Sequence, residues 1–197
     1  MNILIAGMGR SGSTALFNIV RELLKDTDLY SHHEFEFDMG AQKTNNILKT
    51  HYKEYDDWPD IILTARRNMI DVLASFKKFH GRYSSDPPEV WVKRFLEWHE
   101  KWVDRTDYEM EYDRFVCAPI TIIKEIAAVI GVKDYDAEEI FKTVDSYKQL
   151  KVAKDFDPKT LLHPTHITYS TRDVLDTQEL KVVNEIAGEW QEKYNYE

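Results

Sequence analysis

"NILIAGMGRSGST", residues 2–14, decides how the rest of the chain is read. Ile3, Leu4, Ile5 and Ala6 form a short apolar run, which suits a strand buried on both faces. Gly7-Met8-Gly9-Arg10-Ser11-Gly12-Ser13-Thr14 follows, and Leu16, Ile19, Val20, Leu23 and Leu24 then recur at helical spacing. A glycine-rich turn between strand and helix aims backbone N–H groups at one point, with a helix N-terminus behind them. Ser11, Ser13 and Thr14 add hydroxyls and Arg10 adds a fixed charge, so the stretch predicts an anion site. A loop that holds a nucleoside triphosphate with magnesium carries lysine before its last hydroxyl residue. Here that place is Ser13, and the loop's cation is Arg10.

Outward from the loop, strands are predicted at 46–52 and 60–67, with a further short one at 108–115. Helices are predicted from Thr14 to Lys25, Met69 to His80, Glu89 to Asp104, Pro119 to Ile130 and Gln178 to Tyr194. Another runs from an Asp136/Glu139 capping pattern to Leu150, and Gly131 marks the end of the helix before it. Residues 26–45 and 151–176 are polar and irregular by pattern. Short apolar strands alternating with longer helices predict an α/β fold: three αβα layers around a central parallel sheet, in one domain spanning 1–197. Ligands of such sheets bind beyond the carboxyl ends of the strands, here residues 7–14, 49–52 and 65–68.

Composition narrows the function. A net charge of -9 argues against a general nucleic-acid binder but leaves room for a local basic cluster. Cys117 is the only cysteine, which fits a reducing compartment. No signal-peptide pattern and no run of about 18 apolar residues is present, so the expectation is a cytoplasmic protein without a membrane partner. The strand "IILTA" ends in Arg66-Arg67 where a magnesium-dependent enzyme has an aspartate, which suggests a second anion site.

Four segments share one resemblance. "GMGRSGST" resembles the 5′-phosphosulfate loop of sulfotransferases. "RNMIDVLASFKKF", from Arg67 to Phe79, resembles their 3′-phosphate segment, with Arg67 and Ser75 at its spacing. "LKTH" (48–51) resembles the Lys-Thr-His of the cytosolic members, and "EYDRFVCAP" their tyrosine-acidic segment before a helix-opening proline. Order and spacing agree over residues 2–131. The resemblance implies a P-loop NTPase-like fold and 3′-phosphoadenylyl sulfate (PAPS) as co-substrate, with no metal required. It implies that Arg10, Ser11, Gly12, Ser13 and Thr14 bind the 5′ side, that Arg67 and Ser75 bind the 3′-phosphate, and that Tyr112 lies near the adenine. His51 is the implied base, with Lys49 and Arg10 stabilising the departing nucleotide; Glu34 or Glu36 is the alternative base. The acceptor's identity is not legible in the sequence; the short length leads to the expectation of a small molecule or an exposed glycan or peptide group.

The family's C-terminal Arg-Lys-Gly segment has no counterpart. Lys151, Lys154, Lys159 and Arg172 are the candidates to replace it, and Ser146 is a weak match to a serine at the 3′-phosphate. His163 and His166 form a poor metal pattern, and the Trp91/Phe95/Trp98/Trp102 stripe reads as core. Residues 30–42 and 80–90 are expected to line the acceptor pocket. The alternative functions are a P-loop kinase and a nucleotide-binding protein without catalysis; oligomeric state is open.

Overall fold

The computed structural model describes residues 1–33, 43–51, 55, 57–80, 85–147, 157, 159–162 and 172–196. Among them are strands β1 (Asn2–Ala6), β2 (Leu29–His33), β3 (Asn45–Lys49), β4 (Ile61–Arg66) and β5 (Tyr108–Glu111). The helices are α1 (Ser13–Leu23), α2 (Met69–His80), α3 (Pro88–Val103), α4 (Tyr112–Cys117), α5 (Pro119–Ile130), α6 (Ala137–Ser146) and α7 (Thr177–Lys193). The strands form one sheet in the order β2-β3-β1-β4-β5, with every pairing parallel.

β1 is central because its side chains are apolar on both faces: Ile3, Leu4, Ile5 and Ala6 are fully buried. Period-2 alternation divides them. Ile3 and Ile5 join Ile47, Leu63 and Ala65 under α1, α5 and α6. Leu4 and Ala6 join Leu48 and Ile62 against Trp102 of α3. Met8 then starts a third apolar patch shared with α2, α3 and α7. Helices therefore cover both faces, as the three-layer expectation requires. No helix of the described residues is long and apolar enough to cross a membrane.

The structure departs from the sequence reading at the sheet edges. Within residues 26–45, expected to be a polar loop with at most one short element, that element is β2: "LYSHH" is half-buried and pairs with β3. β5 stops at Glu111 instead of continuing to Phe115; the chain turns at once into α4, which buries Phe115 in the core. α6 ends at Ser146, four residues before the expected Leu150, which lies outside the described residues. Asp136 caps α6 by accepting from the Glu138 and Glu139 amides, while the full reciprocal capping box falls at Asp176 and Glu179 on α7. Gly131, with φ 75, ends α5 as expected.

Arg66 also departs from its reading as part of an anion site. Its Nε meets Glu109 at 2.9 Å, and Nη2 meets Glu111 at 2.9 Å. Nη1 donates to the Tyr196 hydroxyl at 2.9 Å, and the guanidinium lies 4.5 Å from the centre of the Tyr194 ring. These partners hold its pKa above the ordinary arginine value against the opposing effect of burial, which is the largest single influence. Arg66 thus ties the end of α7 to the edge of the sheet. Truncating it leaves Glu111 without this cation and Glu109 with His99 as its remaining partner, and losing hydrogen bonds to charged groups of this kind costs about 1.5–3 kcal/mol. Arg66→Ala is expected to lower the urea midpoint accordingly; an unchanged midpoint would show that the cluster does not stabilise the fold.

Candidate active site

The loop after β1 is wound by left-handed residues: Gly7, Arg10 and Gly12 have φ of 96°, 65° and 100°. Gly12 is the N-cap of α1, and a Cβ there would lie 2.2 Å from Cδ2 of Tyr112. Only glycine lets that ring press on the loop. The first turn of α1 contains no acidic side chain, so its free N–H groups and dipole face the loop's interior uncompensated. Ser13 is buried there. Ser11 is buried too, but its hydroxyl donates to the Met8 carbonyl at 2.7 Å, so that proton is spent inside the loop.

The cation that the loop lacks at position 13 arrives from the neighbouring strand. In the β1–β3 register Lys49 lies opposite Ile5. Two residues after Ile47, it projects from the face that packs on α1. Its ammonium donates to Oγ1 of Thr14 at 2.8 Å, and its side chain is buried.

His51 follows just past the end of β3. Its Nδ1 lies 2.9 Å from the Gly7 carbonyl. A carbonyl only accepts, so Nδ1 carries the proton and Nε2 keeps its lone pair. The ring stacks near Trp98 of α3, with centroids 5.9 Å apart and planes 17° apart. Burial foremost, then the Lys49 ammonium, pushes the imidazole down to about 3; His33 and Arg10 act in the same direction, and the Gly7 carbonyl opposes them. The imidazole is therefore neutral at neutral pH.

On the other side of the loop, the Arg67 guanidinium lies 4.8 Å from the centre of the Tyr112 ring, and its buried Nε meets no hydrogen-bond partner among the described residues. Ser75 accepts from Nε and Nη2 of Arg10 at 3.2 and 3.1 Å, and the Arg10 guanidinium lies 4.4 Å from the centre of the Phe79 ring. Arg10 thus leaves the loop toward α2. Tyr112, expected near an adenine, lies between Gly12 and Arg67.

Trp98 is the site residue that the sequence hid. Its neighbours in the stripe, Phe95 and Trp102, are buried core, whereas Trp98 is half-buried, and its ring would lie 3.2 Å from a Cβ at Gly9. A four-residue aromatic stripe on one helix carries no mark that singles out the member at the site. Arg172 forms a fork with Asp71 of α2, at 2.9 and 3.0 Å. Lys159 lends its backbone carbonyl to Arg21, and Ser146 donates to the Thr143 carbonyl at 2.6 Å within α6. Glu34, Glu36, Lys151, Lys154, His163, His166 and most of the expected acceptor lining lie outside the described residues. Among the described residues, no group of three or more His, Cys, Asp or Glu could hold a metal.

The depressed His51 value has a consequence for stability. Its folded-state pKa lies below the ordinary 6.5, so the unfolded chain takes up the proton first. The contribution is complete above about pH 6.5 and is lost as pH falls toward 3. Urea unfolding across this window should show a shallower loss for His51→Gln than for the unsubstituted protein. Identical slopes would mean that His51 titrates normally.

By sequence, no family model and no curated relative matches the chain. By structure it is similar to mouse sulfotransferase SULT7A1 complexed with PAP, with TM-score 0.70 and 14% identity, covering 97% of this chain and 84% of that one. It is similar to retinol dehydratase in complex with retinol and PAP, with TM-score 0.59 and 12% identity over 96% of this chain and 81% of that one. A complex of retinol dehydratase with androsterone and inactive cofactor PAP gives TM-score 0.56 and 13% identity over 96% and 80%. The chain has a sulfotransferase-like fold.

Proposed function

We propose that the protein is a sulfotransferase that moves the sulfuryl group of PAPS to a hydroxyl or amine acceptor. The observation that carries this reading is the presence of two separate groups of cations and hydrogen-bond donors at one sheet edge. Lys49 and the α1 N-terminus flank the loop beside His51, while Arg67, just before α2, and Ser75, in the middle of α2, lie across the loop. Two such groups suit a nucleotide with phosphate at both ends of its ribose. The solved structures of similar fold carry PAP, the nucleotide left after transfer.

In this reading the acceptor attacks sulfur in line with the departing nucleotide. The new bond to sulfur forms as the bond to the nucleotide's bridging oxygen breaks. Negative charge grows on that oxygen, where Lys49 and the loop N–H groups stabilise it. The acceptor's proton passes to Nε2 of His51, the nitrogen left unprotonated by the Gly7 carbonyl. The donor's charge offsets that of Lys49, so its arrival raises the basicity of Nε2. Retinol and androsterone occupy the retinol dehydratase complexes, and a small-molecule acceptor is the corresponding reading here. A magnesium-dependent kinase is not favoured, because β4 ends in an arginine committed to Glu109 and Glu111 where such an enzyme needs a free carboxylate.

His51→Ala should lower sulfuryl transfer by about 10²- to 10⁴-fold while affinity for PAP stays within about threefold. Near-normal turnover would remove His51 from the reaction. Arg67→Ala should weaken PAP by about 1.5–3 kcal/mol in titration calorimetry and 5′-AMP by much less. Equal losses for the two nucleotides would count against a 3′-phosphate site at Arg67.

A further inference from the structure

The end of α7 grips α3 and the sheet at one point. Trp190 donates its indole N–H to Nδ1 of His99 on α3 at 3.2 Å, and the two rings meet edge to face with centroids 5.3 Å apart. An indole N–H only donates, so Nδ1 of His99 is unprotonated and Nε2 carries the proton. Nε2 donates to Glu109 of β5 at 2.8 Å, and the same carboxylate holds Arg66 of β4 at 2.9 Å. His99 is 3% exposed. Of the other buried residues of α3, Val92 and Phe95 have no polar side-chain atom, and the Trp102 N–H meets no hydrogen-bond partner among the described residues. The directional hold on the buried face of α3 is therefore His99, which spans α7 and the sheet.

Trp98 comes just before His99, about 100° away around the helix. Its ring lies 3.2 Å from where a Cβ at Gly9 would stand, and it stacks near His51 at 5.9 Å between centroids. Burial is the largest cause of the depressed His51 pKa. A rotation of α3 by about 10° moves a ring about 6 Å from the helix axis by about 1 Å, enough to forfeit much of a van der Waals contact. Apolar burial is non-directional, whereas hydrogen bonds at both ends of one imidazole fix an angle. We propose that His99 is a positioning residue: tethered between Trp190 and Glu109, it fixes the rotation of α3 and so seats Trp98 against the Gly9 loop and the His51 ring. The shelter of His51 is thus set from α7, the last helix of the chain. The tether belongs to the free protein and holds whatever nucleotide the sheet edge receives.

The test follows the Nδ1 proton of His51 in the free, full chain by heteronuclear NMR at neutral pH, the signal being identified by its absence from His51→Gln. In the unsubstituted protein this proton, held by the Gly7 carbonyl, should exchange with water slowly enough to be seen. Trp190→Phe removes the indole donor and keeps a ring on α7, and it should accelerate the exchange about tenfold or more. Lys77→Met cuts a second tie of α7, the 2.6 Å ion pair from α2 to Glu179, and should leave the exchange within about twofold. Equal acceleration in both variants would mean that α7 acts through general stability alone. An unchanged rate in folded Trp190→Phe would mean that Trp98 keeps its seat without the tether. Either result overturns the proposal, as does an unsubstituted protein whose His51 N–H exchanges too fast to observe. If Trp190→Phe fails to fold, Glu109→Gln takes its place: it removes the charge that Nε2 of His99 donates to and should accelerate exchange about threefold, and an unchanged rate there overturns the proposal equally.

Discussion

The bond from the Lys49 ammonium to the Thr14 hydroxyl is the contact on which the site depends. A phosphate-cradling loop needs a cation, and this one has Ser13 where a lysine would stand. β3 supplies the charge because β1 and β3 are adjacent parallel strands, and their register sets Lys49 opposite Ile5, just before the loop opens. The side-chain period of two turns Lys49 onto the α1 face, where the first helical turn presents Thr14. A lysine within the loop would move with it; one from a neighbouring strand is held by the sheet. Register is therefore part of the chemistry, since a slip of one residue would send Lys49 to the α3 face, beneath Trp102.

The same strand pair sets the state of His51. It lies two residues beyond Lys49, and its Nδ1 donates back across the strand pair to the Gly7 carbonyl. One backbone acceptor thus fixes both the tautomer and the orientation of the ring, and Trp98 packs beside it. The cost appears in the depressed pKa. Burial beside Lys49 disfavours the imidazolium in the free protein. An anion bound beside Lys49 would reduce that penalty, so the basicity of the ring is coupled to the charge of its surroundings.

Much of this was legible in the sequence, for reasons that differ by residue. The run Ile3–Ala6 identified the central strand because burial on two faces requires apolar residues at every position. The glycines of the loop marked its left-handed turn, because Gly7 and Gly12 stand at positive φ, where other residues are strained. The edges were obscure: β2 is polar and paired once, so neither a continuous run nor an alternation marks it. Arg66 and Arg67 are adjacent letters with opposite duties. Alternation carries Arg66 to the α7 side, against Glu109, Glu111 and Tyr196, and Arg67 to the α1 side, over Tyr112. No local pattern distinguishes such a pair before the neighbouring carboxylates are placed. The direction of Arg10 is hidden similarly, since it depends on a serine 65 residues away.

A chain of net charge -9 is a poor long-range attractor for a polyanion. At physiological ionic strength, however, the Debye length is about 8 Å, so most of the surface carboxylates are screened from the sheet edge. In the proposed reading an incoming anion meets Lys49, Arg10, Arg67 and the α1 N-terminus at contact distance, in partly buried surroundings. Interactions there are several times stronger than the same charges would give in bulk solvent. In the proposed reading affinity is set by a few cations without ion pairs among the described residues, with Asp113 near enough to Arg67 for its carboxyl to feel that charge. Committing Arg66 and Arg172 to Glu109, Glu111 and Asp71 while Arg10 and Arg67 stand without ion pairs among the described residues is the physical basis of that reading.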